Sequence, residues 1–220
     1  MLINNAKPPC YTKTINTIKN LSLFALNTAI RISKTLNIEL VIPQEFRVVE
    51  LSEEELEEIK GYSYIRGEYL PENKTLYLQK GQWCIPTLVH ELLHAGSYFS
   101  WEKELAELSD KIYAFIESLT EFLTGFILYK EYPTCYLNWI NKYSEICRVE
   151  TFYEKGLRLL SLLARHVSIK EIAKLLIWNP QQKWITVYKN FITKYKLEDF
   201  SVNTLALHTI KAYSIYLHKH

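Results

Sequence analysis

Two histidines lie four residues apart near the middle of the chain, in the pentapeptide HELLH at positions 90–94. On a helix, side chains four residues apart lie one above the other on the same face, so both imidazoles can reach a single ion. Zinc ligands commonly take this spacing, with a glutamate next to the first histidine. His90 and His94 would be the ligands. Glu91 would take a proton from a water molecule on the metal without ligating it.

The pentapeptide also fits a simpler interpretation, a helix that carries two histidines on its solvated face. At about 100° per residue, the two histidines lie roughly opposite the apolar face of this helix. That face is made of Leu88, Val89, Leu92 and Leu93. Because a five-residue match can arise by chance, the motif needs a third ligand before it indicates a metal site.

A catalytic zinc site takes one more protein ligand and leaves one position open for water. One zinc-peptidase pattern places a glycine at 97 and a third histidine at 100, but this chain has Ser97 and Ser100. A carboxylate on a following helix is the remaining common choice. Four acids that follow soon after the motif lie among lysines and are predicted to form the solvated start of a helix. They are Glu102, Glu104, Glu107 and Asp110.

Two later glutamates interrupt an otherwise apolar stretch. Glu117 and Glu121 are the only charged residues between Lys111 and Lys130. Because an unpartnered buried carboxylate is costly, a metal ion with histidine ligands would explain both. Glu117 would ligate the metal, and Glu121 would accept the second N–H of a ligating histidine, although the reverse order stays open. The alternative is a pair of acids that face a groove or pair with Lys or Arg.

HELLH, followed after 22 intervening residues by ESLTE at 117–121, resembles the gluzincin group of zinc metallopeptidases in its thermolysin-like branch. The resemblance covers about residues 62–129. It implies a zincin-like fold in a compact, single-module form, one Zn²⁺ per chain, and hydrolysis of a peptide bond in a peptide or protein substrate. It also implies the site residues: the ligands His90, His94 and Glu117, the general base Glu91 and the outer partner Glu121.

Enzymes of this group usually add a tyrosine or histidine donor that stabilises the oxyanion. The candidates are Tyr98, Tyr129, Tyr132, Tyr136, His166 and His208. No feature of the sequence ranks them. The strand predicted at 74–79, just before the HELLH helix, would bind an extended peptide as an added strand.

Periodicity and turn residues predict an α+β protein, with a small, mostly antiparallel sheet in the N-terminal part followed by a helical half. The predicted helices span 11–36, 86–98, 102–129 and most of the chain after 133. The predicted strands span 38–42, 46–51 and a hairpin of 62–70 with 74–79. Ser52 and Glu55 form a capping box for a helix that ends at Gly61. We place a catalytic module at 1–130 and a helical subdomain at 131–220.

The chain carries a net charge of +2, and 48% of its residues are hydrophobic, as in ordinary globular proteins. The electrostatic field that this net charge produces is too weak to indicate binding to nucleic acid or to an anionic membrane. The start of the chain lacks a basic segment followed by an apolar run, and two glutamates interrupt the apolar stretch 112–129. Neither a leader nor a membrane span is predicted. The four cysteines are widely spread, so we expect reduced thiols and a cytoplasmic location.

Three other functions stay open. The chain could bind zinc without cutting peptides, or HELLH could be accidental in a helical module. It could also be a DNA-binding regulator through 168–193, because Ser168 and Glu171 form a capping box at the start of SIKEIAKLL, and ITVYKNF follows. The segment between them, IWNPQQKW, is longer than the usual tight turn. Nucleic acid is therefore not the expected partner.

Overall fold

The structure is a computed structural model that describes residues 21–60, 66–102, 110–137, 160 and 163–195. The helices are α1 Leu21–Leu36, α2 Glu53–Lys60, α3 Ile85–Ala95, α4 Tyr98–Trp101, α5 Asp110–Glu131, α6 Ile169–Ala173 and α7 Trp184–Lys194. The strands are β1 Arg47–Leu51, β2 Gly67–Leu70 and β3 Thr75–Gln79. Predicted features at 1–20, 61–65, 103–109, 138–159 and 196–220 lie outside the described residues. The mixture of helices with a small sheet is confirmed, whereas the zincin-like fold and the division at 130 stay predictions.

The three strands form one sheet in the order β1-β3-β2, with β3 in the middle. β1 runs parallel to β3, from Arg47 opposite Thr75 to Leu51 opposite Gln79, whereas β2 runs antiparallel to β3. The prediction of a mostly antiparallel sheet is therefore wrong, because one of its two ladders is parallel. Between β1 and β3 the chain passes through α2 and β2, and this long crossover lets β3 run in the direction of β1.

The local signals around α2 and the hairpin are confirmed. The Ser52 backbone N–H donates to Glu55 Oε2 at 2.7 Å, and the Glu55 N–H donates to Ser52 Oγ at 3.2 Å. This reciprocal pair satisfies two N–H groups at the start of α2. β2 and β3 are joined by a turn at 71–74 and pair as the predicted hairpin does.

Residues 38–42 form no strand, which corrects the prediction for this segment. The Leu40 backbone N–H donates to Ser33 Oγ at 3.0 Å instead of to a neighbouring strand. The Leu40 side chain is buried against the end of α3, where a Cβ added to Gly96 would overlap its Cδ1 atom. The β-rich composition of the segment therefore reflects burial and not sheet pairing.

The helix predicted at 86–98 is two helices, α3 and α4, separated at Gly96 and Ser97. Ser97 forms an isolated β-bridge with Ile177, and the Trp178 N–H donates to the Gly96 carbonyl at 2.9 Å. This backbone pairing occupies the residues at which a longer α3 would continue, so the helix ends before them. It also ties the end of α3 to the chain that precedes α7.

α3 lies at the centre of the core. Five of its apolar side chains have no exposed surface: Leu88, Val89, Leu92, Leu93 and Ala95. Side chains from α1, β3, α5 and α7 belong to the same core cluster. The His90 and His94 side chains lie on the other side of α3 and are each 18% exposed. They are therefore partly enclosed and are not fully solvated, as a surface pair would be.

Glu102, predicted to be solvated, is buried. Its carboxylate accepts the Trp184 backbone N–H at 3.2 Å, and Lys183 at the N-cap of α7 makes no side-chain cap. A distant carboxylate therefore caps α7, where negative charge is favoured. The other acids of that group, Glu104, Glu107 and the side chain of Asp110, lie outside the described residues.

Cys84 is a buried free thiol, whereas Cys135 is disulfide-bonded. The expectation of reduced thiols is wrong at Cys135. The predicted cytoplasmic location loses that support, because disulfides persist mainly in oxidising compartments. Among the helices that the structure describes, none combines the length and the apolar character needed to cross a membrane.

Candidate metal centre

α3 and α5 pack against each other and run in opposite directions at the site. His90 contacts Glu121, the later of the two α5 glutamates, and His94 contacts Glu117, the earlier one. Both helices present side chains at one-turn spacing, so the two pairs meet opposite each other. The structure thus brings together the four side chains that the sequence singles out on these helices.

Three side chains converge on one point. His90 Nε2 lies 3.0 Å from His94 Nε2, and Glu117 places Oε1 3.1 Å from His94 Nε2 and Oε2 3.3 Å from His90 Nε2. The ligand atoms that the three residues offer all lie within 4.8 Å of one another. The group of His90, His94 and Glu117 could therefore hold a metal ion.

These separations fit a tetrahedral ion. With bonds of about 2.0–2.1 Å, two ligands of a tetrahedral zinc ion lie about 3.3 Å apart. The nitrogen and oxygen atoms here are 3.0 to 3.3 Å apart. Lone pairs that face one another at such distances repel unless a proton or a metal cation lies between them. Two imidazoles and one carboxylate also leave a fourth position open, as in catalytic zinc sites.

Glu121 lies behind His90, on the side away from the convergence point. His90 Nδ1 is 2.8 Å from Glu121 Oε2. Because a carboxylate accepts, Nδ1 donates to Glu121, which leaves Nε2 directed towards His94 and Glu117. In this arrangement Glu117 is the glutamate that faces both Nε2 atoms, and Glu121 orients the ring.

The electrostatics of the centre favour a positive charge at the convergence point. Burial lowers the pKa of His90, but hydrogen bonds to Glu117 and Glu121 outweigh burial and hold this pKa well above its usual range. Burial raises the pKa of Glu117, but the charge of His94 and hydrogen bonds from both histidines outweigh it and hold this pKa below its usual range. A metal ion that binds here therefore has to displace a proton.

Glu91 lies beside the centre and is 8% exposed. Its Oε2 accepts the backbone N–H of Tyr69 on β2 at 2.9 Å. Burial raises the pKa of Glu91, and the charges of His90 and His94 offset this rise only in part. Its Oε1 has no hydrogen-bond partner among the described residues. A buried carboxylate with a raised pKa and one free oxygen is suited to take up a proton.

β2 is the strand of the sheet that borders the centre. The Gln79 N–H donates to the Arg66 carbonyl at 2.9 Å, so the alternation of an antiparallel ladder directs the backbone groups of Gly67 and Tyr69 away from β3. The bond from the Tyr69 N–H to the glutamate base agrees with this direction. β3 has partners on both sides, so the prediction that an extended peptide would add to 74–79 is wrong.

Two of the candidate oxyanion donors are engaged elsewhere. The Tyr98 side chain is 1% exposed and hydrogen-bonds to the backbone of Asn179, and burial raises its pKa to about 12. Tyr132 hydrogen-bonds to the Thr28 side chain on α1, and burial raises its pKa as well. Neither hydroxyl is described in contact with the centre.

The other candidates are not brought to the centre by any described contact. Tyr129 is 56% exposed and packs edge-on against Tyr136, with ring centroids 5.4 Å apart. His166 is exposed, and His208 lies outside the described residues. No oxyanion donor is therefore assigned within the described part of the chain.

Sequence reasoning missed three contacts that shape the centre. The Tyr69 N–H carries no sequence signal, because every residue except proline has a backbone N–H. Ser97 and Ser100 both donate their hydroxyls to the His94 carbonyl. They add to the Ser97 backbone N–H, which donates to the same carbonyl at 3.0 Å where α3 ends. Serines three and six residues after His94 are the signal that could have indicated this.

The centre is thus built from two helices and one strand that are separated in sequence. α3 supplies His90, Glu91 and His94, α5 supplies Glu117 and Glu121, and β2 supplies a backbone donor. Its interpretation rests on this chemistry, because no protein-family profile, curated protein or solved structure matches the chain.

Proposed function

We propose that this protein is a zinc-dependent hydrolase of peptide bonds. The observation that carries the proposal is the convergence of His90, His94 and Glu117, with Glu91 alongside. Two imidazoles, one carboxylate and an open position form the donor set of catalytic zinc. The resemblance of HELLH and ESLTE to the gluzincin pattern supports the same class.

A bound Zn²⁺ would polarise the scissile carbonyl and lower the pKa of a water molecule. The Nε2 atoms of His90 and His94 and the carboxylate of Glu117 would hold the ion. Glu121 would keep the His90 ring oriented through its bond to Nδ1. These four side chains are supplied by two packed helices, so their geometry is largely set before substrate binds.

Glu91 would act first as a base and then as an acid. The Tyr69 N–H holds Oε2, so Oε1 is the atom that takes a proton from water and later delivers it to the leaving amine. Burial raises the pKa of Glu91. The carboxylate therefore retains the proton more readily than an exposed glutamate would.

An extended peptide is the substrate that suits the edge of β2. The outward carbonyls of Gly67 and Tyr69 and the outward N–H of Gly67 would pair with its main chain. The peptide would then lie beside the base, since the Tyr69 N–H contacts Glu91 directly. Main-chain pairing of this kind leaves the side-chain preference of the enzyme to other contacts.

Metal analysis tests the centre. The purified wild-type protein is expected to hold about one zinc ion per chain. His90→Ala is expected to lose the zinc, because only two ligands remain. His166→Ala, which changes an exposed histidine, serves as the matched control and is expected to keep it. Equal zinc content in the wild type and His90→Ala would contradict the assignment.

Digestion of a broad peptide library tests the chemistry. Glu91→Gln is expected to keep its zinc and to cleave about 10²- to 10⁴-fold more slowly, because the amide cannot accept the proton. Metal content and cleavage are measured on the same preparation, so a lost metal is not mistaken for a lost base. Wild-type turnover in Glu91→Gln would exclude this role.

A zinc-binding protein that does not cut peptides is the main alternative, because it would share every residue of the centre. It predicts one zinc per chain in the wild type, as the proposal does, but no cleavage of the library. A wild-type protein that holds zinc and leaves the library intact would favour this alternative.

DNA binding through 168–193 has one observation in its favour. The described stretch 163–195 exposes six basic side chains against a single acid, Glu171: Arg165, Lys170, Lys174, Lys183, Lys189 and Lys194. An affinity for duplex DNA that falls steeply as the salt concentration rises would support DNA binding. Since the chain as a whole carries only +2, it stays the second candidate.

A further inference from the structure

α5 carries a polar stripe on a buried face. Its members follow the i, i+3, i+4, i+7 spacing that normally buries hydrocarbon. They are Glu117, Thr120, Glu121 and Thr124, with 5%, 0%, 6% and 1% of their surface exposed. A buried face made of polar side chains needs polar partners, because desolvated polar groups are otherwise costly.

The metal centre accounts for the two glutamates but not for the two threonines. The Oγ1 atoms of Thr120 and Thr124 are buried and have no hydrogen-bond partner among the described residues. A helical threonine can bond back to the carbonyl four residues earlier, as Thr28 on α1 does to the Phe24 carbonyl at 3.0 Å. The two α5 hydroxyls do not make this bond, so their hydrogen-bonding capacity is available to another group.

A suitable acceptor lies one turn away. Glu121 uses Oε2 to bond His90 Nδ1 at 2.8 Å, and no described residue donates to its Oε1. Thr124 follows Glu121 by three residues on the same face, where Cβ atoms are about 5–6 Å apart. The hydroxyl and the carboxylate make no direct hydrogen bond. A single water molecule can bridge groups at this separation.

We propose that Thr120 and Thr124 are positioning residues of the metal centre. Their hydroxyls hold ordered water that donates to Oε1 of Glu121 and keeps this carboxylate directed at His90. The inference rests on the metal centre proposed above. Buried water typically makes about three hydrogen bonds, and two hydroxyls and one carboxylate oxygen supply that number.

This arrangement would act on the metal through the His90 ring. Glu121 accepts the Nδ1 hydrogen, which leaves the Nε2 lone pair for the ion. A Glu121 carboxylate that lacks the water bridge can rotate away from His90. The ring then loses both its orientation and part of its basicity, and the metal is held less tightly.

The test replaces the hydroxyls without changing side-chain shape. The double variant Thr120→Val/Thr124→Val is expected to bind zinc about 3- to 10-fold more weakly, less than the 10- to 100-fold typical for a direct outer partner. Thr28→Val is the matched control, because its buried hydroxyl bonds to the Phe24 carbonyl and to Tyr132 and not to the metal centre, and it is expected to keep wild-type affinity. The variant Thr120→Val/Thr124→Ser keeps the first valine, restores a hydroxyl at 124 and is expected to recover part of the zinc affinity.

A second readout uses the metal-free protein. The bond between His90 and Glu121 is already formed there, so ¹⁵N NMR of the imidazole can follow the Nδ1 hydrogen directly. We expect this hydrogen to exchange faster with solvent in the double valine variant and to stay unchanged in Thr28→Val. A wild-type protein that binds no zinc would refute the metal centre, whereas this readout would still test the water bridge.

The outcomes separate clearly. Weaker zinc binding and faster Nδ1–H exchange in the double valine variant, both reversed in part in Thr120→Val/Thr124→Ser, would support the proposal. Wild-type zinc affinity together with wild-type exchange in the valine variant would overturn it. If the double variant does not fold, the single Thr124→Val variant is measured instead, with the same expected directions.

Discussion

His90 lies between two carboxylates, and that determines which of its nitrogens a metal ion can use. His90 Nδ1 donates to Glu121 Oε2 at 2.8 Å, and Glu117 Oε2 lies 3.3 Å from His90 Nε2. The bond to Glu121 fixes Nδ1 as a hydrogen-bond donor of the ring and leaves Nε2 as the atom that a metal ion can bind. The ring is therefore prepared as a ligand by a residue that does not touch the metal.

The replacement Glu121→Gln is expected to weaken zinc binding about 10- to 100-fold, because an amide oxygen is a poorer acceptor for the Nδ1 hydrogen. Competition with a chelator of known affinity measures this. Glu131→Gln on the same helix is the control, since Glu131 is exposed and bonds to Thr35 on α1, away from the centre. An unchanged zinc affinity in Glu121→Gln would show that Glu121 does not orient His90 for metal binding.

At the scale of elements, the approach of β2 to α3 decides whether the base meets its backbone donor. A Cβ added to Gly67 would lie 2.6 Å from Thr87 Cγ2 on α3 and 2.9 Å from Leu78 Cδ2 on β3. Only a residue without a side chain lets the strand lie this close. The same close approach sets the 2.9 Å bond from Tyr69 to Glu91.

Gly67→Ala is expected to lower the free energy of unfolding by about 1–3 kcal/mol, as overpacking of a core does. It is also expected to slow peptide cleavage, because the strand must move away from the base. Chemical denaturation and library digestion measure the two effects. Adding Thr87→Ser removes the nearer clashing methyl and should restore part of the stability. A fully stable and active Gly67→Ala would show that the approach is not needed.

A second contact between elements joins α6 to α7 through charge. Glu171 Oε1 lies 2.5 Å from Lys174 Nζ, and Oε2 lies 3.0 Å from Lys194 Nζ. The hydrogen bond from Lys174 is the main reason that the pKa of Glu171 lies below its usual range, with a further contribution from Lys194. Both lysines are largely exposed, so the contribution to stability is small.

Glu171→Gln is expected to cost less than about 1 kcal/mol of stability near pH 7. A lowered carboxyl pKa stabilises the folded state above the unfolded pKa of about 4.3, and that stabilisation is lost as pH falls through the lower, folded-state value. The difference between variant and wild type should therefore vanish in acid. Denaturant titrations across this pH range measure it, with the exposed Glu57→Gln as control. A difference independent of pH would contradict the ion-pair explanation.

At the scale of the whole molecule, a bound metal would link parts of the chain that are far apart in sequence. The ligands lie on α3 and α5, and both helices contribute to a core shared with α1 and α7. Because the ligand geometry depends on the fold, an ion that binds the folded state stabilises it by mass action.

Zinc at a hundredfold excess over its Kd is expected to add about 2.7 kcal/mol of stability. For a chain of this size that corresponds to a rise of about 5–10 °C in Tm. Thermal melts with zinc and with a chelator measure the shift, and His90→Ala should melt alike in both. Identical melting of the wild type in both conditions would favour an accidental HELLH.

Much of the candidate centre could be predicted because it depends on spacing along helices. The one-turn separation of His90 and His94, and of Glu117 and Glu121, places each pair on one face whatever the rest of the chain does. The cost of burying carboxylates also marked the second pair as unusual. The role of Thr120 and Thr124 gave no such signal, because threonine is neutral and common in apolar helices.

The elements were harder to predict where a segment's partner decides its structure. Residues 38–42 have the composition of a strand, yet Leu40 bonds to Ser33 and packs on the end of α3. Glu102 looked solvated among charged neighbours, yet it caps α7. In each case a contact from a distant part of the chain outweighed the local preference.

The amino-acid sequence by itself determined which side chains share a face, because helical periodicity and the cost of desolvating charge act locally. Only the tertiary structure decided that Glu117 faces the two Nε2 atoms while Glu121 lies behind His90, and that β2 and not β3 borders the base. The first depends on how far α5 is displaced along α3, and the second on a crossover through α2. Both are set by packing across the whole core, which no local pattern encodes.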